Sequence, residues 1–116
     1  MQIVKESCVE SLSEALKAEQ NGADQIELCS RLDLGGLTPN RELIRHVSSK
    51  LSIPIKVMIR PRAGNFIYNA IELEKMKDDI LFCRSVDVKG VVFGILDNKK
   101  SIDVKSTRAL TTIAKR

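Results

Sequence analysis

The sequence predicts an α/β fold in which four parallel strands alternate with four helices. Four short runs rich in apolar and β-branched residues recur along the 116-residue chain, and each is followed by apolar residues at helical spacing. Capping residues or glycines separate these segments. Because consecutive parallel strands need a right-handed crossover, repeated βα units imply parallel pairing. We therefore expect residues 1–116 to form a single (β/α)4 domain.

Each strand and the first helix have their own sequence signals. The predicted strands are QIVKESCV (2–9), ADQIELCS (23–30), PIKVMIRP (54–61) and GVVFGIL (90–96). In the first helix, Ser11 and Glu14 have the spacing of a capping box, and Asn21-Gly22 ends the helix.

The other three helices are predicted in the same way. Thr38-Pro39 is expected to start the second helix, Asn69 with Glu72 the third, and Asp103 the fourth. The residues expected to face the core are Leu43, Ile44, Val47 and Leu51 in the second helix, Leu73, Met76, Ile80 and Cys83 in the third, and Val104, Thr107, Ile113 and Ala114 in the fourth.

The alternation along the strands favours a barrel over a doubly wound sheet. Parallel strands bury their apolar positions under helices, which assigns Ile26, Leu28, Ile55, Val57 and Ile59 to the helix side. The intervening positions, whose side chains point to the other face of the sheet, are Glu6 and Cys8, Glu27 and Cys29, and Met58 and Arg60. A second layer of helices would require an apolar face, whereas a barrel interior collects functional groups at the carboxyl ends of its strands.

Composition and charge exclude several classes of function. The net charge is +4, but no run of Lys or Arg suggests a nucleic-acid arm, and aromatic residues make up only 3% of the chain. No apolar run has membrane-spanning length, and the N-terminus has no leader pattern. Three widely spaced cysteines without a Cys-x-x-Cys motif fit a reducing compartment, so we expect a cytoplasmic protein without nucleic-acid or membrane partners.

Four stretches of the chain resemble a known family. ESCVES, GADQIELCSRLDLGGLTPN, VMIRPRAGNFIY and VVFGILDNKKSID are similar, in order and spacing, to the CutC family of copper homeostasis proteins. The resemblance implies a TIM barrel of roughly 250 residues. This chain matches the first four βα units, the N-terminal half.

The resemblance implies copper binding through Cys8 and Cys29, which fall where the family's proposed copper-binding cysteines lie. Thiolates suit Cu(I), and two of them on neighbouring strands give a site of low coordination number. The alternative is that these cysteines are small buried hydrophobic residues, as we expect for Cys83 on a helical face.

A second interpretation is an enzyme acting on a small phosphorylated or carboxylated substrate. Glu27 is then the candidate general acid or base, and Arg60 and Arg62 are candidate anion-binding residues. Gly35 and Gly36 would add backbone donors at a helix start, and Asp103 would join the same mouth. The alternative for Arg60 is an ion pair with Glu27. The single histidine, His46, is expected on the surface, which leaves no Ser-His or Cys-His dyad and no zinc site.

A third interpretation is an inactive fragment. Half of a barrel leaves its first and fourth strands as open edges beside a partly apolar interior. We expect two copies to close such edges as a homo-oligomer, and aggregation if they do not.

Overall fold

The structure is a computed structural model that describes residues 2–115. Its four strands form one parallel sheet in the order β1-β2-β3-β4. The elements are β1 (Glu6–Val9), α1 (Leu12–Gln20), β2 (Gln25–Leu28), a short 3-10 helix (Leu32–Leu34), α2 (Arg41–Lys50), β3 (Ile55–Met58), α3 (Ala70–Ser85), β4 (Gly90–Val92) and α4 (Val104–Ala114). The predicted α/β class and the order of its elements are confirmed.

Local capping interactions explain where three of the helices begin. The side chain of Ser11 accepts a hydrogen bond from the Glu14 N–H at 3.1 Å, and Asp103 caps α4 through the Ser106 N–H. Asn69 and Glu72 complete a capping box with bonds of 2.8 and 2.9 Å. At α1 the reciprocal bond differs from the expected one, because the Glu14 carboxylate accepts from the N–H of Glu10, not of Ser11.

The predicted start of α2 at Thr38-Pro39 is wrong. The helix begins at Arg41, and Asn40 is the N-cap, whose side chain accepts from the Leu43 N–H at 2.7 Å. Thr38 is used elsewhere: its hydroxyl donates to the Arg60 carbonyl at 3.1 Å and accepts from the Arg60 N–H at 2.8 Å. A contact between the β2–α2 loop and the end of β3 therefore replaces the expected cap.

All four strands are shorter than predicted, β1 and β4 most of all, and one helix face differs from the prediction. Residues 2–5 precede β1, and β4 ends at Val92 instead of reaching Leu96. Val104, expected to face the core, is 58% exposed, whereas Leu110 is buried in its place. The last-turn positions Ile113 and Ala114 do pack against the core as predicted.

The helix-side positions of the strands form the centre of the core. Ile26, Leu28, Ile55, Val57 and Ile59 are all buried, together with inward residues of α1, α2 and α3. On the opposite strand face, Glu27, Met58 and Arg60 are half-buried and Glu6 is exposed. The parity predicted from the sequence is therefore confirmed, and it separates an apolar helix layer from a polar inner face.

One charged residue inside the helix layer was missed from the sequence. Asp79 on α3 is 3% exposed, and it accepts from Lys75 at 2.7 Å and from Arg41 of α2 at 3.3 Å. The two cations satisfy a carboxylate that would be costly to bury alone. Among residues 2–115, no helix has both the length and the apolar character needed to cross a membrane.

A pair of isoleucines on α3 tests where the core lies. Ile80 is fully buried, whereas Ile71 on the same helix is 80% exposed. We expect Ile80→Ala to lower the free energy of unfolding by about 2–5 kcal/mol, because it leaves a cavity among packed side chains. The matched variant Ile71→Ala should stay within about 0.5 kcal/mol of the parent. Denaturant unfolding followed by circular dichroism measures both, and equal effects would contradict the assigned core.

Candidate functional site

Two cysteines and two glutamates share the inner face of β1 and β2. Cys8 on β1 is in register with Glu27 on β2, and Glu6 lies two residues before Cys8 on the same face. Cys29 directly follows β2, where its N–H donates to the Val9 carbonyl at 2.9 Å. Since side chains alternate along a strand, the register brings all four residues to one face of the sheet.

The two thiols differ in exposure. Cys8 is exposed at the open edge of the sheet, whereas Cys29 is 1% exposed. The Cys29 thiol donates to the Glu27 carboxylate, with 3.8 Å between Sγ and Oε1. Gly36 covers Cys29: a Cβ at that glycine would lie 3.8 Å from the Cys29 Sγ and 3.5 Å from the Met58 methyl group.

The pKa values of Cys8, Glu27 and Cys29 are raised. Burial, followed by the charge of Glu27, raises the pKa of Cys29 to about 12. Burial, followed by the charges of Glu27 and Glu6, raises the pKa of Cys8. Burial and the neighbouring Glu6 also raise the pKa of Glu27. The site therefore disfavours negative charge, and both cysteines are protonated thiols near neutral pH.

A cation partly offsets the acidic pair. Lys56 on β3 lies 3.8 Å from the Glu6 carboxylate, which also accepts from the Gln25 side chain at 2.8 Å. Lys56 is in register with Glu27, and its charge acts to lower the pKa of that residue, although burial and Glu6 outweigh it.

The expected ion pair between Arg60 and Glu27 is not present among the described residues. The Arg60 guanidinium instead donates to three backbone carbonyls, those of Leu34 at 2.9 Å, Gly36 at 3.2 Å and Gly64 at 2.9 Å. The guanidinium carbon, Cζ, also lies 4.9 Å from the centre of the Phe66 ring. Arg60 thus joins the loop after β2 to the loop after β3.

Arg62 is held in a similar way. Its guanidinium pairs with Glu72 of α3, donates to the carbonyls of Asn65 at 2.8 Å and Ile67 at 2.7 Å, and lies over the Tyr68 ring at 4.9 Å. The pair with Arg62 lowers the pKa of Glu72. Both arginine forks proposed for an anion are therefore occupied by the chain itself.

The two loop glycines lie away from a helix start. The N–H groups of Gly35 and Gly36 donate to the carbonyls of Leu32 and Arg31 at 3.0 and 3.1 Å. Both glycines have positive φ values, +88° and +96°, which shape the turn that covers Cys29. The expectation that this loop opens α2 is wrong, since α2 begins at Arg41.

The remaining candidate residues cap a helix, lie on the surface or lie in the core. Asp103 is the N-cap of α4. His46 is exposed on α2, as predicted, and Cys83 is buried in the core, as predicted. Two aromatic residues were missed, Phe66 and Tyr68, because stacking of an arginine on a ring six residues later depends on the path of the loop.

Two buried polar atoms at this end of the sheet have no hydrogen-bond partner among the described residues, the Arg60 Nε and the Tyr68 hydroxyl. Unpartnered buried polar atoms are uncommon and need an explanation. Within the part of the chain that the structure describes, no three His, Cys, Asp or Glu side chains are grouped to hold a metal ion.

Comparisons with known proteins give one consistent result. The sequence model of the CutC family matches residues 3–116. A human copper homeostasis protein cutC homolog is 43% identical over 110 residues, which are 95% of this chain and 40% of the human protein. A CutC family protein of Chromobacterium violaceum is 38% identical over 114 residues, covering 98% of this chain and 46% of that protein. The chain thus spans less than half the length of these two relatives.

Solved structures agree with the sequence comparisons. The crystal structure of a copper homeostasis protein CutC from Streptococcus agalactiae superposes with a TM-score of 0.92 at 34% identity, over 98% of this chain and 56% of that one. A thiamine phosphate pyrophosphorylase from Pyrococcus furiosus superposes with a TM-score of 0.65 at 24% identity, over 97% of this chain and 49% of that one, and shows the fold alone. These neighbours are TIM-barrel proteins, so the four βα units correspond to half of a barrel.

Replacing Arg60 by Lys tests whether its role is structural. Lysine keeps the charge but cannot reach three carbonyls with one fork, so we expect Arg60→Lys to lower the free energy of unfolding by about 1.5–3 kcal/mol. Arg84→Lys on α3, an exposed arginine outside this loop contact, is the matched control and should be near neutral. Denaturant unfolding measures both. No difference between the two variants would contradict the structural role.

Proposed function

This chain belongs to the CutC family, and from that membership we propose that it takes part in copper homeostasis by binding Cu(I) through the thiolates of Cys8 and Cys29. The observation that supports this proposal is the placement of both thiols on the inner face of two neighbouring strands. We also propose a cytoplasmic location, and we treat residues 1–116 as one (β/α)4 domain.

The donor set fits a soft, low-coordinate ion. Two thiolates suffice for Cu(I), which accepts fewer ligands than the harder divalent ions, so a larger cluster is not needed. The methyl group of Met58 borders the same space beneath Gly36 and adds a soft, polarisable wall. Glu6 and Glu27 supply negative charge close to an incoming cation.

The raised thiol pKa values make binding a proton exchange. Cu(I) must displace the proton of each thiol that it binds, and a nearby cation then removes the electrostatic reason for the high pKa. Binding therefore competes with protons throughout the neutral range.

An anaerobic Cu(I) titration against a competing chelator tests the proposal. We expect one tight site in the parent chain and none in the Cys8→Ser, Cys29→Ser double variant. Cys83→Ser is the matched control, since that thiol is buried in the helix layer, and it should bind like the parent. Equal binding in the double variant would contradict the proposal.

The pH dependence gives a second test of the same site. Both thiols are protonated well above neutral pH, so each displaced proton should increase the apparent affinity about tenfold per pH unit as the pH rises from 6 to 8. The increase is therefore up to a hundredfold per unit for two thiols. Chelator competition at several pH values measures it, after correction for the chelator's own protonation. A flat profile would show that neither thiol is a ligand.

A second candidate function is supported by one observation, the unpartnered Arg60 Nε and Tyr68 hydroxyl at the same end of the sheet. These two donors suit an oxygen of a small phosphorylated or carboxylated substrate. The Arg60 Nε belongs to the predicted anion site of Arg60, Arg62, Gly35 and Gly36, and the Tyr68 hydroxyl adds a donor that was not predicted. Glu27, with its raised pKa, would then serve as the general acid or base.

A thermal-shift screen with phosphorylated and carboxylated metabolites tests this second candidate. A true ligand should raise the melting temperature of the parent chain and fail to do so for Tyr68→Phe, which removes only the hydroxyl. Glu27→Gln should retain binding and lose turnover, because the amide cannot transfer a proton. Stabilisation that persists in Tyr68→Phe would place the ligand elsewhere. Copper should change neither the thermal shift nor the turnover.

A further inference from the structure

We propose that the thioether of Met58 is a third ligand for Cu(I), beside the thiolates of Cys8 and Cys29. This ligand role rests on the proposed copper function and deepens it, because it gives the same site a third sulfur and a coordination number of three. Met58 lies on β3, one of the two central strands of the sheet. Cysteine and methionine are the side chains whose soft sulfur atoms favour Cu(I).

Met58 is the neighbour of Cys29 on the inner face of the sheet. The parallel strands β2 and β3 pair Leu28 with Val57, so the next residue along each chain is Cys29 on one side and Met58 on the other. Neighbouring strands are about 4.8 Å apart. Leu28 and Val57 are fully buried on the helix side, and the alternation of side chains turns the two following residues to the inner face.

The loop after β2 brings the two sulfur-bearing groups to one space. A Cβ at Gly36 would lie 3.5 Å from the Met58 methyl carbon and 3.8 Å from the Cys29 Sγ, and the thioether sulfur is bonded to that methyl carbon. Gly36 has a φ of +96°, a conformation that favours glycine, so no side chain of the loop fills this space. A space bordered by a thiol and a thioether suits a soft ion of low coordination number.

Met58 has no group that titrates, which sets it apart from the other inward positions at β1, β2 and β3. Those positions hold Glu6, Cys8, Glu27, Cys29, Lys56 and Arg60. A thioether loses no proton when it binds a metal ion, whereas each thiol must lose one. Met58 therefore adds a ligand without adding negative charge, in a site where burial and the charge of Glu27 raise both thiol pKa values.

Selenomethionine labelling tests the bond directly. The chain contains three methionines, Met1, Met58 and Met76. In labelled protein loaded with Cu(I), X-ray absorption at the selenium edge should show a copper neighbour in the parent chain and none in Met58→Leu. Met76→Leu is the matched control and should keep the copper neighbour, because Met76 is fully buried in the helix layer. A parent chain without a selenium–copper contact, or a contact that persists in Met58→Leu, would overturn the proposal.

Chelator competition measures how much the thioether contributes to binding. Leucine has a similar volume and no sulfur, so Met58→Leu should remain folded. Its Cu(I) affinity should fall at least about tenfold, since groups that only orient metal ligands are already worth about 10- to 100-fold. The slope of affinity against pH should equal that of the parent, because the lost ligand carried no proton. An unchanged Cu(I) affinity would contradict the ligand role.

A variant of the covering loop tests the same space without changing a sulfur. Gly36→Ala places a methyl group against both the thiol and the thioether, so it should weaken Cu(I) binding. Gly22→Ala is the matched control for backbone strain: Gly22 has a φ of +92°, and no atom lies within 4 Å of a Cβ built there. Circular dichroism shows whether both variants are folded. Equal binding by the two variants would contradict a copper ion beneath Gly36.

Two sets of results separate a missing third ligand from a missing copper site. A parent chain without a tight Cu(I) site, or tight binding that survives in the Cys8→Ser, Cys29→Ser double variant, would overturn both proposals. A tight site that is lost in the double variant, with two sulfur neighbours at the copper edge instead of three, would overturn only the role of Met58.

Discussion

The alternation of side chains along four parallel strands determines most of this structure. Side chains at every second strand position lie under the helices, where only apolar residues such as Ile26, Leu28 and Val57 are compatible with complete burial. The side chains at the intervening positions face inward, where polar groups are tolerated. A one-residue change of register would exchange the two sets, so the apolar layer fixes the position of every polar residue opposite it.

The inner face carries its chemistry because of this constraint. Glu27 cannot turn away from Glu6 and Cys29 without leaving the register that Ile26 and Leu28 impose. Burial, to which the loop of Gly35 and Gly36 contributes, raises the pKa values of Glu27 and Cys29. The charge of Glu6 raises the pKa of Glu27 further, and the charge of Glu27 does the same for Cys29. Packing on one side of the sheet therefore sets the electrostatics on the other.

Features with local causes were predictable from the sequence. The caps formed by Ser11, Asn69 and Asp103 depend on residues three positions apart, and the buried strand centres depend on a period of two. Features with distant causes were not. Thr38 was expected to cap α2, but its hydroxyl bonds to the backbone of Arg60, 22 residues away. The side chain of Arg60 was expected to pair with a carboxylate, but it donates to loop carbonyls. The phase of α4, with Val104 outward and Leu110 inward, follows from where the helix lies on the sheet.

The burial of Cys29 beneath the Gly36 loop also affects its reactivity with oxidants. Peroxides and disulfides react with thiolates, and a thiol with a pKa of about 12 supplies almost none near neutral pH. The neighbouring glutamates add charge repulsion against an attacking anion. Burial and charge therefore protect the Cys29 thiol from oxidants and keep it reduced.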